Sequence, residues 1–169
     1  LDPDIPDGHL KINALVASGK VDRTGAEALH SLFRPHVISE TYAEVCRDPA
    51  LTGRLASILG PDVITFNGLV IFKARGVGLP FPYHQDLWYF QRGNDIERSC
   101  GIWMALDDAD EGNGCLWVVP GSQKLPLQEH VLPDAAHLQQ EFREVPAASD
   151  MDEIPVPMKA GGCLFFDGR

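Results

Sequence analysis

The residues of this chain that are best suited to chemistry form the segment Tyr83-His84-Gln85-Asp86. In an extended strand alternate side chains lie on one face, so His84 and Asp86 project together from Cα atoms about 7 Å apart. An imidazole nitrogen and a carboxylate oxygen placed in this way can converge on one metal ion. Two histidines and one carboxylate on one face of an octahedron are typical of non-haem Fe(II) oxygenases. The alternative is a hydrogen-bonded His–Asp pair at the end of a strand, since a chain with 6 histidines can contain one His-x-Asp by chance.

The elements that must position this segment change type along the chain. Residues 1–60 are predicted to be mainly helical, with helix starts at Thr24 with Glu27, at Ser39 with Glu40, and at Asp48-Pro49. From residue 61 onwards, β-branched and aromatic runs predict strands over residues 63–73, 83–90, 100–106, 115–119, 154–158 and 163–166. The long connection at about 121–153 is predicted to be an insertion that carries one helix over residues 135–142.

Short strands that follow a helical start predict a mainly β fold with flanking helices. The architecture that fits is a double-stranded β-helix, the jelly-roll or cupin-like barrel, with most helices in the N-terminal third. A length of 169 residues fits one domain. The chain begins with Leu1 rather than Met and ends in a predicted strand, so we expect a single domain over residues 1–169 that is incomplete at both ends. Residues 1–60 would be its helical part and residues 61–169 its barrel strands.

Charge and cysteine content restrict the partners and the compartment. Lys and Arg number 14 against 24 Asp and Glu, a net charge of −10 that repels phosphate backbones and anionic lipids. We therefore expect neither a nucleic-acid nor a membrane partner. The 4 cysteines form no CxxC pair, which favours free thiols in the reducing cytoplasm.

The other candidate clusters fail on mechanism. His130 and His137 are separated by Pro133 and are predicted to be surface residues of the long connection. The acidic loop at 107–112 has Ala109 in place of a calcium ligand, so we interpret it as a solvated turn.

Several motifs, in the right order, resemble the phytanoyl-CoA dioxygenase family. Residues 101–122 (GIWMALDDADEGNGCLWVVPGS) contain the aliphatic-Asp-Asp strand end, Glu-x-Asn-Gly-Cys-Leu and Pro-Gly-Ser that follow His-Gln-Asp in this family at about this distance. Residues 84–90 (HQDLWYF) and 159–166 (KAGGCLFF) are similar to the family as well, as is Gly60-Pro61 before a strand that ends at Lys73. The resemblance runs in register over residues 60–169 and more loosely over residues 9–59.

The resemblance implies Fe(II) bound by His84 and Asp86, with 2-oxoglutarate as the cosubstrate and O2 as the oxidant. It implies that Trp103 and Leu69 line the cosubstrate pocket and that Lys11 faces a cosubstrate carboxylate. The alternative for Lys11 is a solvated surface lysine, and for Trp103 and Leu69 it is ordinary core packing.

The third iron ligand that the resemblance implies is a distal histidine expected beyond Arg169, followed by an arginine for the far carboxylate of 2-oxoglutarate. The carboxylate of Asp86 favours hydroxylation, because related halogenases have a small residue there. We therefore expect an Fe(II)/2-oxoglutarate-dependent dioxygenase that hydroxylates an unactivated C–H bond of a small organic molecule. Two alternatives stay open: a non-catalytic jelly-roll binding module, and a metal-dependent cupin-like enzyme that does not use 2-oxoglutarate.

Overall fold

The computed structural model describes residues 5–91, 98–134, 139 and 142–169. The chain divides into two compact units, residues 1–78 and residues 79–169. Within the described part of the chain, no helix has the length and apolar character needed to cross a bilayer.

The first unit is built on a three-stranded antiparallel sheet in the order β1-β2-β3. Its strands are β1 (Leu10–Ile12), β2 (Leu29–Phe33) and β3 (Leu69–Ile71). The central strand β2 begins with three successive buried residues, as expected for a strand paired on both sides.

Short helices precede or follow these strands along the chain of the first unit. They are α1 (Ala14–Ala17), a 3-10 helix (Gly25–Ala28), α2 (Pro35–Ile38), α3 (Glu40–Arg47) and α4 (Pro49–Leu59). The helix starts predicted at Ser39-Glu40 and Asp48-Pro49 are confirmed. The Asp48 carboxylate accepts a hydrogen bond from the backbone N–H of Ala50 at 2.7 Å, which satisfies one donor of the first turn. Helix α4 ends before Gly60, whose φ of 107° suits glycine.

Two predictions for the first unit are wrong in part. Thr24 precedes only one 3-10 turn and makes no capping hydrogen bond, and the apolar residues after it form β2 instead of a helix. Pairing with two neighbouring strands overrides the local capping signal there. The strand predicted over residues 63–73 is reduced to Leu69–Ile71, the three residues that have partners in β2.

The second unit contains helix α5 (Asp86–Phe90) and four strands: β4 (Cys100–Met104), β5 (Leu116–Val118), β6 (Ile154–Val156) and β7 (Cys163–Asp167). It also has 3-10 helices at Ser122–Lys124 and Pro146–Asp150. β4 pairs with β7 and β5 pairs with β6, both antiparallel. These four strands confirm the predictions for residues 100–106, 115–119, 154–158 and 163–166. Over the described residues the fold consists of small antiparallel sheets and short helices.

The strand predicted over residues 83–90 is wrong: residues 83–85 belong to no strand, and Asp86–Phe90 form a helix. Gln85 itself has extended backbone angles, and α5 begins at Asp86. Short apolar runs do not distinguish a strand from a buried helix, and here Leu87 is 1% exposed, while its N–H donates to the carbonyl of Gly168 at 2.8 Å. Except for Gln139 and Phe142, the helix predicted over residues 135–142 lies outside the described residues.

Strands β4 and β7 pack most closely where Gly101 lies opposite Phe166. A Cβ atom added to Gly101 would overlap the Phe166 ring. We expect Gly101→Ala to lower the free energy of unfolding by about 1–3 kcal/mol, because overpacking forces the ring or the backbone to move. Urea unfolding followed by circular dichroism measures this change.

The control is Gly53→Ala, since Gly53 is exposed on α4 with no atom within 4 Å of an added Cβ. In a helix interior this change stabilises by about 0.5–1 kcal/mol. Equal effects of the two substitutions would contradict the close approach at Gly101.

Candidate metal centre

The side chains of His84 and Asp86 converge in the second unit. The His84 Nε2 and Asp86 Oδ1 atoms are 3.3 Å apart, and the two side chains are 25% and 31% exposed. Gln85 between them has extended backbone angles, φ −109° and ψ 119°, so its two neighbours project to the same side. The predicted alternation of side-chain directions therefore holds over residues 84–86, although α5 begins at Asp86.

The imidazole of His84 is oriented by a bond at its other nitrogen. Nδ1 donates to the carbonyl oxygen of Pro82 at 2.8 Å, and a carbonyl can only accept, so Nδ1 carries a proton. In the neutral ring, Nε2 then keeps its lone pair and faces the Asp86 carboxylate. Metal-ligating histidines almost always donate their second N–H in this way.

The donor set fits a divalent cation such as Fe(II). Two ligands at adjacent corners of an octahedron, each about 2.1 Å from the ion, lie about 3 Å apart, close to the separation of the His84 and Asp86 atoms. A nitrogen and a carboxylate oxygen suit iron. Among the described residues no group of three or more His, Cys, Asp or Glu side chains converges, so the pair supplies two ligands.

The Asp86 carboxylate also controls the proton affinity of His84. Burial, the largest single influence, lowers the pKa of His84, but the hydrogen bonds to Asp86 and Pro82 and the charge of Asp86 together raise it above 6.5. A positive charge between Nε2 and the carboxylate is thus favoured, whether a proton or a metal ion supplies it.

Gln85 is held from the opposite side by residues 126–130. Its N–H donates to Nε2 of His130 at 3.0 Å, and its side-chain oxygen accepts from the N–H of Gln128 at 2.7 Å. Its side-chain amide donates to the carbonyl of Pro126 at 3.4 Å. The prediction that His130 is a surface residue is wrong: it is 8% exposed. His137 lies outside the described residues.

Aromatic rings pack against both imidazoles. Phe142 stacks on His84 with ring centroids 6.1 Å apart, and Tyr89 meets His84 edge-on at 5.7 Å. Trp88 stacks on His130 at 4.6 Å with an interplanar angle of 18°. Burial is the main reason that the pKa of His130 lies below its ordinary value. His130 is therefore a neutral acceptor towards Gln85.

The other predicted site residues lie on strands. Trp103 is half-buried in β4, opposite Leu164 of β7. Lys11 and Leu69 belong to the first unit, where Lys11 is exposed on β1 and Leu69 begins β3. The register pairs Lys11 with Ser31 and Ser31 with Ile71, so Lys11 and Leu69 lie on one face of that sheet. The structure brings together His84 and Asp86, and separately places Lys11 and Leu69 on one face.

Comparison with known proteins identifies the family of the chain. The model of the family phytanoyl-CoA dioxygenase (PhyH) matches residues 8–169. The chain belongs to the phytanoyl-CoA dioxygenase family. The resemblance drawn from the sequence motifs is thereby confirmed.

Several curated relatives have dioxygenase or hydroxylase names. Ectoine dioxygenase of Bordetella parapertussis is 30% identical over 166 residues, which cover 87% of this chain and 52% of the relative. L-proline trans-4-hydroxylase of Streptomyces griseoviridis is 30% identical over 76% of this chain and 50% of its own. Peroxisomal phytanoyl-CoA dioxygenase of Mus musculus is 31% identical over 70% and 36%. The chain thus spans about half the length, or less, of the curated relatives it matches. No solved structure matches significantly.

In the metal-free protein, the His84 imidazole should titrate above pH 6.5, and Asp86→Asn should lower its pKa, because burial then acts without the opposing carboxylate. NMR of the imidazole C–H groups against pH measures both values. Since the folded state binds this proton more tightly, the stabilisation is fully present below pH 6.5 and is lost as the pH rises through the raised pKa.

The control is Asp108→Asn, which removes an exposed carboxylate paired with Lys159 at 2.7 Å. This change should leave the titration of His84 as it is in the parent protein. An unchanged pKa of His84 in Asp86→Asn would contradict the pairing.

Proposed function

We propose that the full-length protein is an Fe(II)- and 2-oxoglutarate-dependent dioxygenase that hydroxylates an unactivated C–H bond of a small organic molecule. The observation that carries the proposal is the 3.3 Å approach of His84 Nε2 to Asp86 Oδ1, with His84 Nδ1 bound to the carbonyl of Pro82. Family membership supports the reaction class. The relatives named ectoine dioxygenase and L-proline trans-4-hydroxylase support a small substrate.

His84 and Asp86 are the proposed iron ligands and the catalytic pair. The third ligand is the distal histidine expected beyond Arg169. Its proposed place is supported by the course of β7, because the carbonyl of Gly168 accepts from the N–H of Leu87, the residue after Asp86. A chain that continues from this strand leaves it beside α5.

Trp103, Leu69 and Lys11 are the proposed cosubstrate-binding residues. The common sheet face of Lys11 and Leu69 supports their assignment to one pocket. An ammonium group is suited to a carboxylate of 2-oxoglutarate, and apolar side chains are suited to its methylene groups.

The proposed architecture of the full protein is the double-stranded β-helix. The antiparallel pairs β4–β7 and β5–β6 support it, since a jelly roll consists of antiparallel strands. The single-domain organisation over residues 1–169 is part of the same proposal.

The residues of the chain hold and orient the reacting groups. When bound, Fe(II) with 2-oxoglutarate and O2 supplies an oxidant for a C–H bond and leaves succinate and CO2. His84 gives up its Nε2 proton to bind the metal and keeps its Nδ1 proton on the Pro82 carbonyl. Asp86 contributes negative charge and would hold the metal where related halogenases have a small residue, which favours hydroxylation. The rings of Tyr89 and Phe142 limit water around the imidazole.

Charge and thiol content support the remaining parts of the proposal. A net charge of −10 disfavours nucleic-acid and anionic membrane partners. All four cysteines are free, which supports a reducing compartment, and we propose the cytoplasm.

Asp86→Ala tests the proposed site. We expect the variant of the full-length protein to lose Fe(II) binding and succinate formation, because the site loses its only carboxylate and with it the negative charge that offsets the cation. Anaerobic addition of Fe(II) and 2-oxoglutarate should produce the visible charge-transfer band of the chelate in the parent protein, and air should then release succinate. The control Asp108→Ala removes an exposed acid and should retain both signals.

The same measurements separate the alternatives. Neither a band nor succinate from the parent protein would indicate a non-catalytic binding module. Turnover of a substrate without 2-oxoglutarate would indicate a different metal enzyme. Undiminished succinate formation by Asp86→Ala would remove Asp86 from the site.

A further inference from the structure

Gln85 is the residue between the two proposed ligands, and its backbone conformation decides whether their side chains converge. It is 8% exposed, and its three hydrogen bonds to residues 126–130 use its N–H and both ends of its side-chain amide. Of the three, only the hydrogen bond donated by the N–H holds the backbone between the two ligands directly. At the start of a helix this N–H has no partner within the helix, so its partner must come from elsewhere in the chain.

The side chain of His130 is that partner. Its Nδ1–H donates to the carbonyl of Gln128 at 3.0 Å, which leaves Nε2 as an acceptor for the N–H of Gln85. Its ring is fixed by the stack on Trp88, a residue of α5. The acceptor is therefore oriented from two sides, by the chain that carries it and by the helix that begins at Asp86.

We propose that His130 is a positioning residue of the metal centre, which keeps His84 and Asp86 convergent by accepting a hydrogen bond from the Gln85 N–H. If this peptide turned, the alternation of side chains over residues 84–86 would be lost and Nε2 and Oδ1 would separate. The proposal rests on the proposed function in so far as the pair binds metal. The proposal assigns His130 no contact of its own with the metal or the substrate.

Two substitutions separate the acceptor from the ring. His130→Phe keeps a flat ring for Trp88 but has no acceptor, whereas His130→Gln offers a side-chain oxygen without the ring. We expect His130→Phe to weaken Mn(II) binding by the full-length protein roughly 10- to 100-fold, as the loss of an outer partner of a ligand does elsewhere. We expect His130→Gln to recover most of the affinity. The control is Glu129→Gln, an exposed neighbour, which should bind Mn(II) as the parent does.

Calorimetric titration with Mn(II) and the melting temperature of the metal-free protein are measured for each variant. A merely structural role predicts lower melting temperatures for both His130 variants with Mn(II) affinity unchanged, and that result would overturn the proposal. So would equal Mn(II) affinity of His130→Phe and His130→Gln.

Two further measurements cover the remaining outcomes. If the parent protein binds no Mn(II), the proposed function fails. The positioning role is then tested by comparing the distance between His84 Nε2 and Asp86 Oδ1 in crystal structures of the parent and of His130→Phe. A wider separation in the variant supports it, and an unchanged one overturns it. Should His130→Phe not fold, the through-bond NMR coupling between the Gln85 amide nitrogen and His130 Nε2 decides, because its absence removes the hydrogen bond.

Discussion

The hydrogen bond from His84 Nδ1 to the Pro82 carbonyl is the constraint on which the candidate site depends. It commits the only ring proton of a neutral imidazole to the backbone and turns the lone pair of Nε2 towards the carboxylate of Asp86 at 3.3 Å. Two electron-rich atoms so close repel each other unless a positive charge lies between them. The metal-free protein can satisfy this need with a proton, which is why the pKa of His84 is raised, and a divalent cation satisfies it by replacing that proton.

The residues around the pair restrain the His84 ring and the Asp86 backbone, while the Nε2 edge of the imidazole still faces the Asp86 carboxylate. Phe142 lies over the ring face and Tyr89 meets it edge-on, so rotation of the ring would cost packing as well as the bond to Pro82. Asp86 is fixed through the backbone, because α5 begins there and the next residue, Leu87, is buried and bound to Gly168. The two donors are thus held by different means, one by its own side chain and one by its helix.

A feature of the fold or of the site could be predicted from the sequence when the residues that determine it are close together along the chain. Helix α4 was predictable because Asp48 and Gly60 are local start and stop signals. The convergence of His84 and Asp86 was predictable because it requires only an extended Gln85, even though residues 83–90 form no strand and α5 begins at Asp86. A local pattern carries both of these features.

Features set by distant contacts could not be predicted in the same way. The segment after Thr24 becomes a strand because β1 and β3 lie on either side of it, and neither neighbour is visible in the local pattern. The bond between Gln85 and His130 joins residues 45 positions apart. A histidine in a proline-containing connection gives no local sign of such a contact.

Charge balance restricts what else a metal centre on His84 and Asp86 requires. A divalent metal held by one carboxylate carries a net charge of about +1, and a dianionic cosubstrate changes it to about −1. In a protein with a net charge of −10, the far carboxylate then needs a positive side chain of its own, since unpaired buried charge is costly. A metal centre on His84 and Asp86 therefore requires a positively charged side chain near the cosubstrate as well as a third ligand.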